Sequence, residues 1–147
     1  MNLTTDVPRS PNEKMAGLVS LARVIDKARA HNAGTLGEYH YDCPHDKPLL
    51  EFLGVDAATF AQSVRELGSD QAIEAWVRRS LLARKSEREI ECFNRDRTHW
   101  KPYPDSDKEQ YFDEMRQRIA PGRSDVTTWF ELLDLEEGRG AEHRRAA

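Results

Sequence analysis

The segment from Ser10 to Ala30, SPNEKMAGLVSLARVIDKARA, constrains the fold more than any other stretch because it carries the longest strongly periodic apolar pattern. Leu18, Leu21, Ala22, Ile25 and Ala28 recur at three- and four-residue spacings, which lays them along one stripe of an α-helix. Such a stripe must pack against other elements. Ser10, Pro11 and Glu13 supply three helix-start signals: a side-chain oxygen for an orphan amide, a ring that sets φ in the first turn, and a capping-box carboxylate. The sequence therefore predicts a helix that begins at Ser10 and stops at His31-Asn32-Ala33-Gly34, where Asn and Gly suit a left-handed C-terminal turn.

Counting about 100° per residue from Leu18, Arg29 projects only about 20° away, inside the apolar arc. A cation there needs a partner, and Asp26, three residues earlier at the edge of the arc, is within reach of a helical ion pair. Arg23 and Lys27 are expected to point outward, flanking Asp26 on its far side. Two roles are open to Arg29. It can lay its methylenes on the core and send its guanidinium to water or a carbonyl, or its planar fork can hold a carboxylate or phosphate in a cleft.

The rest of the chain reads as further helices. Asp46 and Pro48 open one that ends at Gly54, Asp56 caps one that stops at Gly68, and Ser69 or Asp70 begins one that runs to Leu81. Ser86 with Glu89 and Ser106 with Glu109 form capping boxes, Lys101-Pro102-Tyr103-Pro104 breaks the chain between them, and a last helix follows Asp125. The expected architecture is all-α: an extended arm over residues 1–9, one helical domain over 10–137 with about seven helices, and a frayed tail over 138–147. GTLGEYHYDCPHD is a loop or short extended insert after the first helix.

Charge narrows the function classes. The net charge is −4 with both signs interleaved, so the concentrated basic footprint of a nucleic-acid binder is missing. No apolar run is long enough to span a bilayer, and MNLTTDVPRSP has neither a charged leader nor an apolar h-region, so a cytoplasmic protein without a membrane partner is expected. Cys43 and Cys92 are far apart and outside any CxxC, as idle or buried thiols would be.

His40, Cys43, His45 and Asp46 are all metal-capable, but no second ligand pair stands at the distance a closed zinc site wants, so no metal and no cofactor are assigned. Tyr39 and Tyr41 would share one side of an extended segment, either packed with their hydroxyls bonded or at the mouth of a pocket beside Arg29. GTLG lacks the Lys and Ser or Thr of a phosphate loop, and no GxSxG occurs. Arg123, just before the last helix, is a solvated turn residue or a contributor to an anion site.

RSPNEKMAGLVSLARVIDKARA, GTLGEYHYDCPHD, EFLGVD and PGRSDVTTWFELLDLEE together resemble a bacterial family catalogued as domain of unknown function 5069 (DUF5069), from Arg9 to about Glu137. The resemblance implies a compact helical domain and implies no reaction or ligand. Arg9, Arg23, Asp26, Lys27, Arg29, Tyr39, Tyr41, Cys43 and Asp46 fall on the family pattern, whereas His40 and His45 stand where other side chains are usual.

Two functions are compatible with these residues. In the first, the protein offers a polar pocket to a small anionic metabolite, with cofactor-free acid–base chemistry: Asp26 or Asp46 as base, Tyr41 as acid, and Arg9, Arg23, Lys27, Arg29 and Tyr39 holding the ligand. In the second, the same residues form a structural network inside a non-catalytic protein–protein interaction module. Neither oligomeric state nor partner is legible.

Overall fold

The computed structural model describes residues 1–139. Seven α-helices and one π-helical segment form its regular structure, with no strand among the described residues, so the chain is all-α. Residues 140–147, most of the tail expected to fray, lie outside the described residues. The chain divides into two compact units, Met1–Phe93 and Asn94–Ala147.

The first unit is built on α1 (Leu21–Ala33), followed by α2 (Lys47–Leu53), α3 (Ala57–Leu67) and α4 (Asp70–Trp76), the last running into a π-helical turn at Val77–Leu81. The helix α1 begins at Leu21, not at Ser10. Ser10 makes a local turn instead, its Oγ accepting from the Asn12 amide at 3.1 Å and its carbonyl from the Glu13 amide at 3.1 Å. Beyond it, Met15 and Leu18 exchange backbone hydrogen bonds of 3.0 and 2.9 Å around Ala16 at φ 54° and Gly17 at φ 77°. Two successive left-handed residues cannot continue a right-handed helix, and they form the tight turn that Gly allows. Leu18 and Val19 are thus buried outside the helix, and Ser20, at φ 66°, leads into it.

Every residue from Leu21 to Ala28 is buried, so α1 has no solvent face along its first two turns. The N-terminal arm covers part of it: the Ser20 amide donates to the Pro11 carbonyl at 2.8 Å and the Leu3 amide to the Thr35 carbonyl at 2.8 Å. Gly37 lets the arm approach the insert. At φ 62°, a Cβ there would stand 2.9 Å from the Leu3 carbonyl oxygen. The insert itself is an ordered loop of turns, so Tyr39 and Tyr41 do not lie on a strand.

Local signals set the other helix ends. Asp56 accepts from the Thr59 amide at 2.7 Å, Ser69 from the Ala72 amide at 3.1 Å, and Gly54 closes α2 in the left-handed region. The helix α5 (Glu87–Thr98) opens on the expected capping box, with Ser86 Oγ accepting from the Glu89 amide at 3.1 Å and Glu89 reaching back to the Ser86 amide at 3.3 Å.

The second unit contains α6 (Asp107–Ile119) and α7 (Trp129–Glu136). Its core gathers Phe112, Met115, Val126, Trp129, Leu132 and Leu135. Phe112 meets Trp129 edge to face at 5.1 Å, and the Trp129 amide donates to the Trp100 carbonyl at 3.0 Å. The last helix starts later than Asp125 suggests: the Val126 amide closes a turn on the Arg123 carbonyl at 3.1 Å, and Thr128 with Glu131 forms the capping box.

Candidate functional site

Asp26, on the second turn of α1, is 1% exposed. Its carboxylate accepts three hydrogen bonds from Arg9: the backbone amide at 2.9 Å, Nε at 3.1 Å and Nη2 at 3.0 Å. The other edge of the same guanidinium faces Asp70, with Nη1 2.7 Å and Nη2 3.2 Å from its oxygens. Arg29 completes the group. Its Nη1 lies 2.9 Å from Asp70 and 3.8 Å from Asp26, and its Nη2 donates to the Gly68 carbonyl at 2.9 Å, at the C-terminal end of α3. Two guanidiniums and two carboxylates therefore alternate, with the Glu13 carboxylate 3.9 Å from Arg9 Nη1 at their edge.

This geometry shapes the proton affinities. Burial pulls the Arg9 guanidinium down, but hydrogen bonds and charge from Asp26 and Asp70 outweigh it and leave Arg9 above the usual arginine value. The Arg9 hydrogen bond holds the Asp70 carboxyl below its usual value against partial desolvation, with Arg29 adding to the effect.

A second cluster lies on another side of α1. The ammonium of Lys27, 3% exposed, donates to both oxygens of the fully buried Asp46 at 2.9 and 2.8 Å and to Cys43 Sγ at 3.3 Å. Asp46 also accepts from the Cys43 amide at 3.2 Å, so its carboxylate serves Lys27 and the turn before α2 and makes no side-chain cap for that helix.

Arg23 and Lys27 therefore point inward, contrary to the expectation from helical periodicity. Arg23 is 4% exposed, donates from Nη1 to the Arg9 carbonyl at 3.2 Å, and lies 5.8 Å from the ring centroid of Tyr39. The arm and the insert cover faces of α1 that a helix in isolation would leave to water. Cations on those faces are buried with partners rather than solvated.

Tyr41 is hydrogen-bonded to the first residue of α3. Its hydroxyl donates to the Ala57 carbonyl at 2.7 Å, its ring lies 5.0 Å from that of His31, and burial, followed by the charge of Asp46, Asp42 and Asp56, pushes its phenol well above the usual value. Arg123, weighed as an anion contact, holds Asp125 at 3.0 and 3.2 Å. No group of three or more His, Cys, Asp or Glu among the described residues is arranged to hold a metal ion.

The structure thus joins Arg9, Arg23, Asp26, Arg29 and Tyr39 through one set of contacts and Lys27 with Asp46 through another. It adds Asp70, which the sequence marks only as a helix start. No sequence signal identifies that role, since Asp70 is 61 residues from Arg9.

A family model described as a domain of unknown function, DUF5069, matches residues 5–139, a span that contains both clusters entire. The chain belongs to the DUF5069 family. No curated protein matches this DUF5069 chain. None of its helices, among the described residues, is long and apolar enough to cross a membrane.

Chemically, the three candidate proton-transfer groups of this DUF5069 chain are all engaged: Asp26 by Arg9, Asp46 by Lys27, and the Tyr41 hydroxyl by a carbonyl. In the second unit a groove of about 480 Å³ lies between the Lys101–Pro104 turn and Phe112, Asp113 and Arg116, and none of the residues singled out from the sequence as site candidates lines it.

Proposed function

We propose that the protein is a non-catalytic protein–protein interaction module in which the polar residues around α1 are structural. The observation that carries this reading is the internal pairing of the charges: Asp26 and Asp46 are buried, and each accepts from an intramolecular cation. A general base needs a lone pair within reach of the proton it abstracts, and a buried carboxylate clasped by an intramolecular cation does not present one. The contacts tie α1 to the arm, to α2 and to α4, which is the work of a scaffold. The described surface also exposes Tyr103 by 79% and Tyr111 by 52%, and tyrosine is a residue type that concentrates binding energy at interfaces.

Native mass spectrometry of freshly purified protein, with a denatured control, tests the reading. A bound protein or a defined oligomer without added small-molecule mass is the expected result. A metabolite released on denaturation would overturn it.

One observation favours a second reading, a pocket for a small anionic metabolite. Arg9 and Arg29 converge on Asp70, whose side chain is 42% exposed, so a ligand carboxylate or phosphate arriving from solvent would compete with Asp70 for that double fork. Isothermal titration with citrate and inorganic phosphate separates the two: binding that Asp70→Asn strengthens and Arg29→Ala removes would establish the pocket.

A further inference from the structure

Lys27 and Cys43 are two nucleophiles in contact, 3.3 Å from Nζ to Sγ, with the Asp46 carboxylate 2.8 Å from the same nitrogen. Lys27 is buried, whereas Cys43 is partly exposed as a residue. We propose that this is a peroxide-responsive modification site at which oxidised Cys43 is captured by Lys27 as a sulfur–nitrogen cross-link. The inference is independent of the function proposed above.

The chemistry takes two balanced steps, and the co-reactant is a hydroperoxide. In the first, the ionised Cys43 sulfur attacks one oxygen of the peroxide. A sulfur–oxygen bond forms, the oxygen–oxygen bond breaks, and the second oxygen leaves as hydroxide and is protonated to water. Sulfur is oxidised by two electrons and the peroxide is reduced by two. The product is the sulfenic acid, which condenses with a neighbouring nitrogen when one is available.

In the second step Lys27 passes one proton to Asp46, and its neutral amine attacks the Cys43 sulfur. The nitrogen–sulfur bond forms, the sulfur–oxygen bond breaks, and hydroxide leaves as water with one of the two amine protons, the other staying on the bridging nitrogen. No electron changes hands in this step.

Each group has one task. The Lys27 ammonium donates to the sulfur and holds it beside the amine, Asp46 is the proton acceptor already hydrogen-bonded to the amine, and Cys43 Sγ is the reacting atom. The outcome discharges a buried ion pair and replaces it with a covalent tie between α1 and the turn that leads into α2. A thiol remote from any amine would instead proceed to the sulfinic acid.

The test uses the full chain carrying Cys92→Ser, because a Cys43–Cys92 disulfide would have the same mass as the cross-link. After treatment with hydrogen peroxide, the intact mass should fall by about 2 Da relative to the reduced protein and return with dithiothreitol. Tandem spectra should link the peptides that contain Lys27 and Cys43. Lys27→Arg and Cys43→Ser should each abolish the product. Accumulation of the sulfinic acid without the linked peptide overturns the proposal, as does an undiminished yield in Lys27→Arg. Should Lys27→Arg fail to fold, the peptide map of the Cys92→Ser protein decides alone.

Discussion

Arg9 binds Asp26 with both its backbone amide and its guanidinium, at 2.9 to 3.1 Å, so an arm residue without helical structure neutralises a charge buried on α1. The contact accounts for the packed arm and for the tolerance of an aspartate at 1% exposure. Arg9→Ala leaves Asp26 without its main partner and should cost about 3–5 kcal/mol, measured by urea unfolding. Arg9→Lys should recover only part of that loss, because an ammonium cannot span two carboxylates as a planar fork does.

The Lys27–Asp46 pair is buried on both sides, with side chains 4% and 1% exposed. Lys27→Met alone strands a buried carboxylate and should destabilise by about 3–5 kcal/mol. The double variant Lys27→Met/Asp46→Leu should regain most of that stability, since an apolar pair avoids the desolvation cost of two ions. A double-mutant cycle read by thermal and urea unfolding gives the coupling, and additivity of the two single losses would count against the pair.

Asp70 carries the pH dependence of the outer network. Its folded-state value is lowered, so its contribution is complete above the unfolded carboxylate value of about 4 and disappears as pH falls through the lower folded value. The stability difference between the native protein and Asp70→Asn should therefore be constant near neutrality and shrink below about pH 4. Added salt should diminish it as well, since Asp70 is substantially exposed.

Tyr41 shifts in the opposite sense. Burial and three nearby carboxylates favour the neutral phenol, so its contribution is complete below the unfolded tyrosine value of about 10 and is lost as pH rises through the raised folded value. Ultraviolet titration of the native protein minus Tyr41→Phe should show this phenolate appearing well above pH 10 or only on unfolding. Tyr41→Phe, which loses the hydrogen bond to the Ala57 carbonyl, should cost about 1 kcal/mol.

Gly37 tests the docking of the arm without touching a charge. Its positive φ and the 2.9 Å approach of the Leu3 carbonyl leave no room for a side chain. Gly37→Ala should destabilise by about 1 kcal/mol or more and raise amide exchange at Leu3, whose N–H is held by Thr35.

The contrast between helix ends and charges shows how far local information reaches. Asp56, Ser69, Ser86 and Gly54 act where the sequence indicates, because a cap is a hydrogen bond between residues two to four apart, and the apolar spacing alone is enough for an all-α chain. The start of α1 escapes the same logic. Ser10, Pro11 and Glu13 suit a helix, yet the left-handed turn at Ala16 and Gly17 takes precedence once Met15 and Leu18 pair and the arm packs down.

The inward turn of Arg23 and Lys27 and the part played by Asp70 depend on what covers α1. Arg9 and Asp26 are 17 residues apart, Lys27 and Asp46 19, and Arg9 and Asp70 61, and no periodicity connects them. Helical propensity and caps act over a few residues and are encoded locally. The partner of a buried charge is chosen by which segments pack together, and packing exists only in the folded chain.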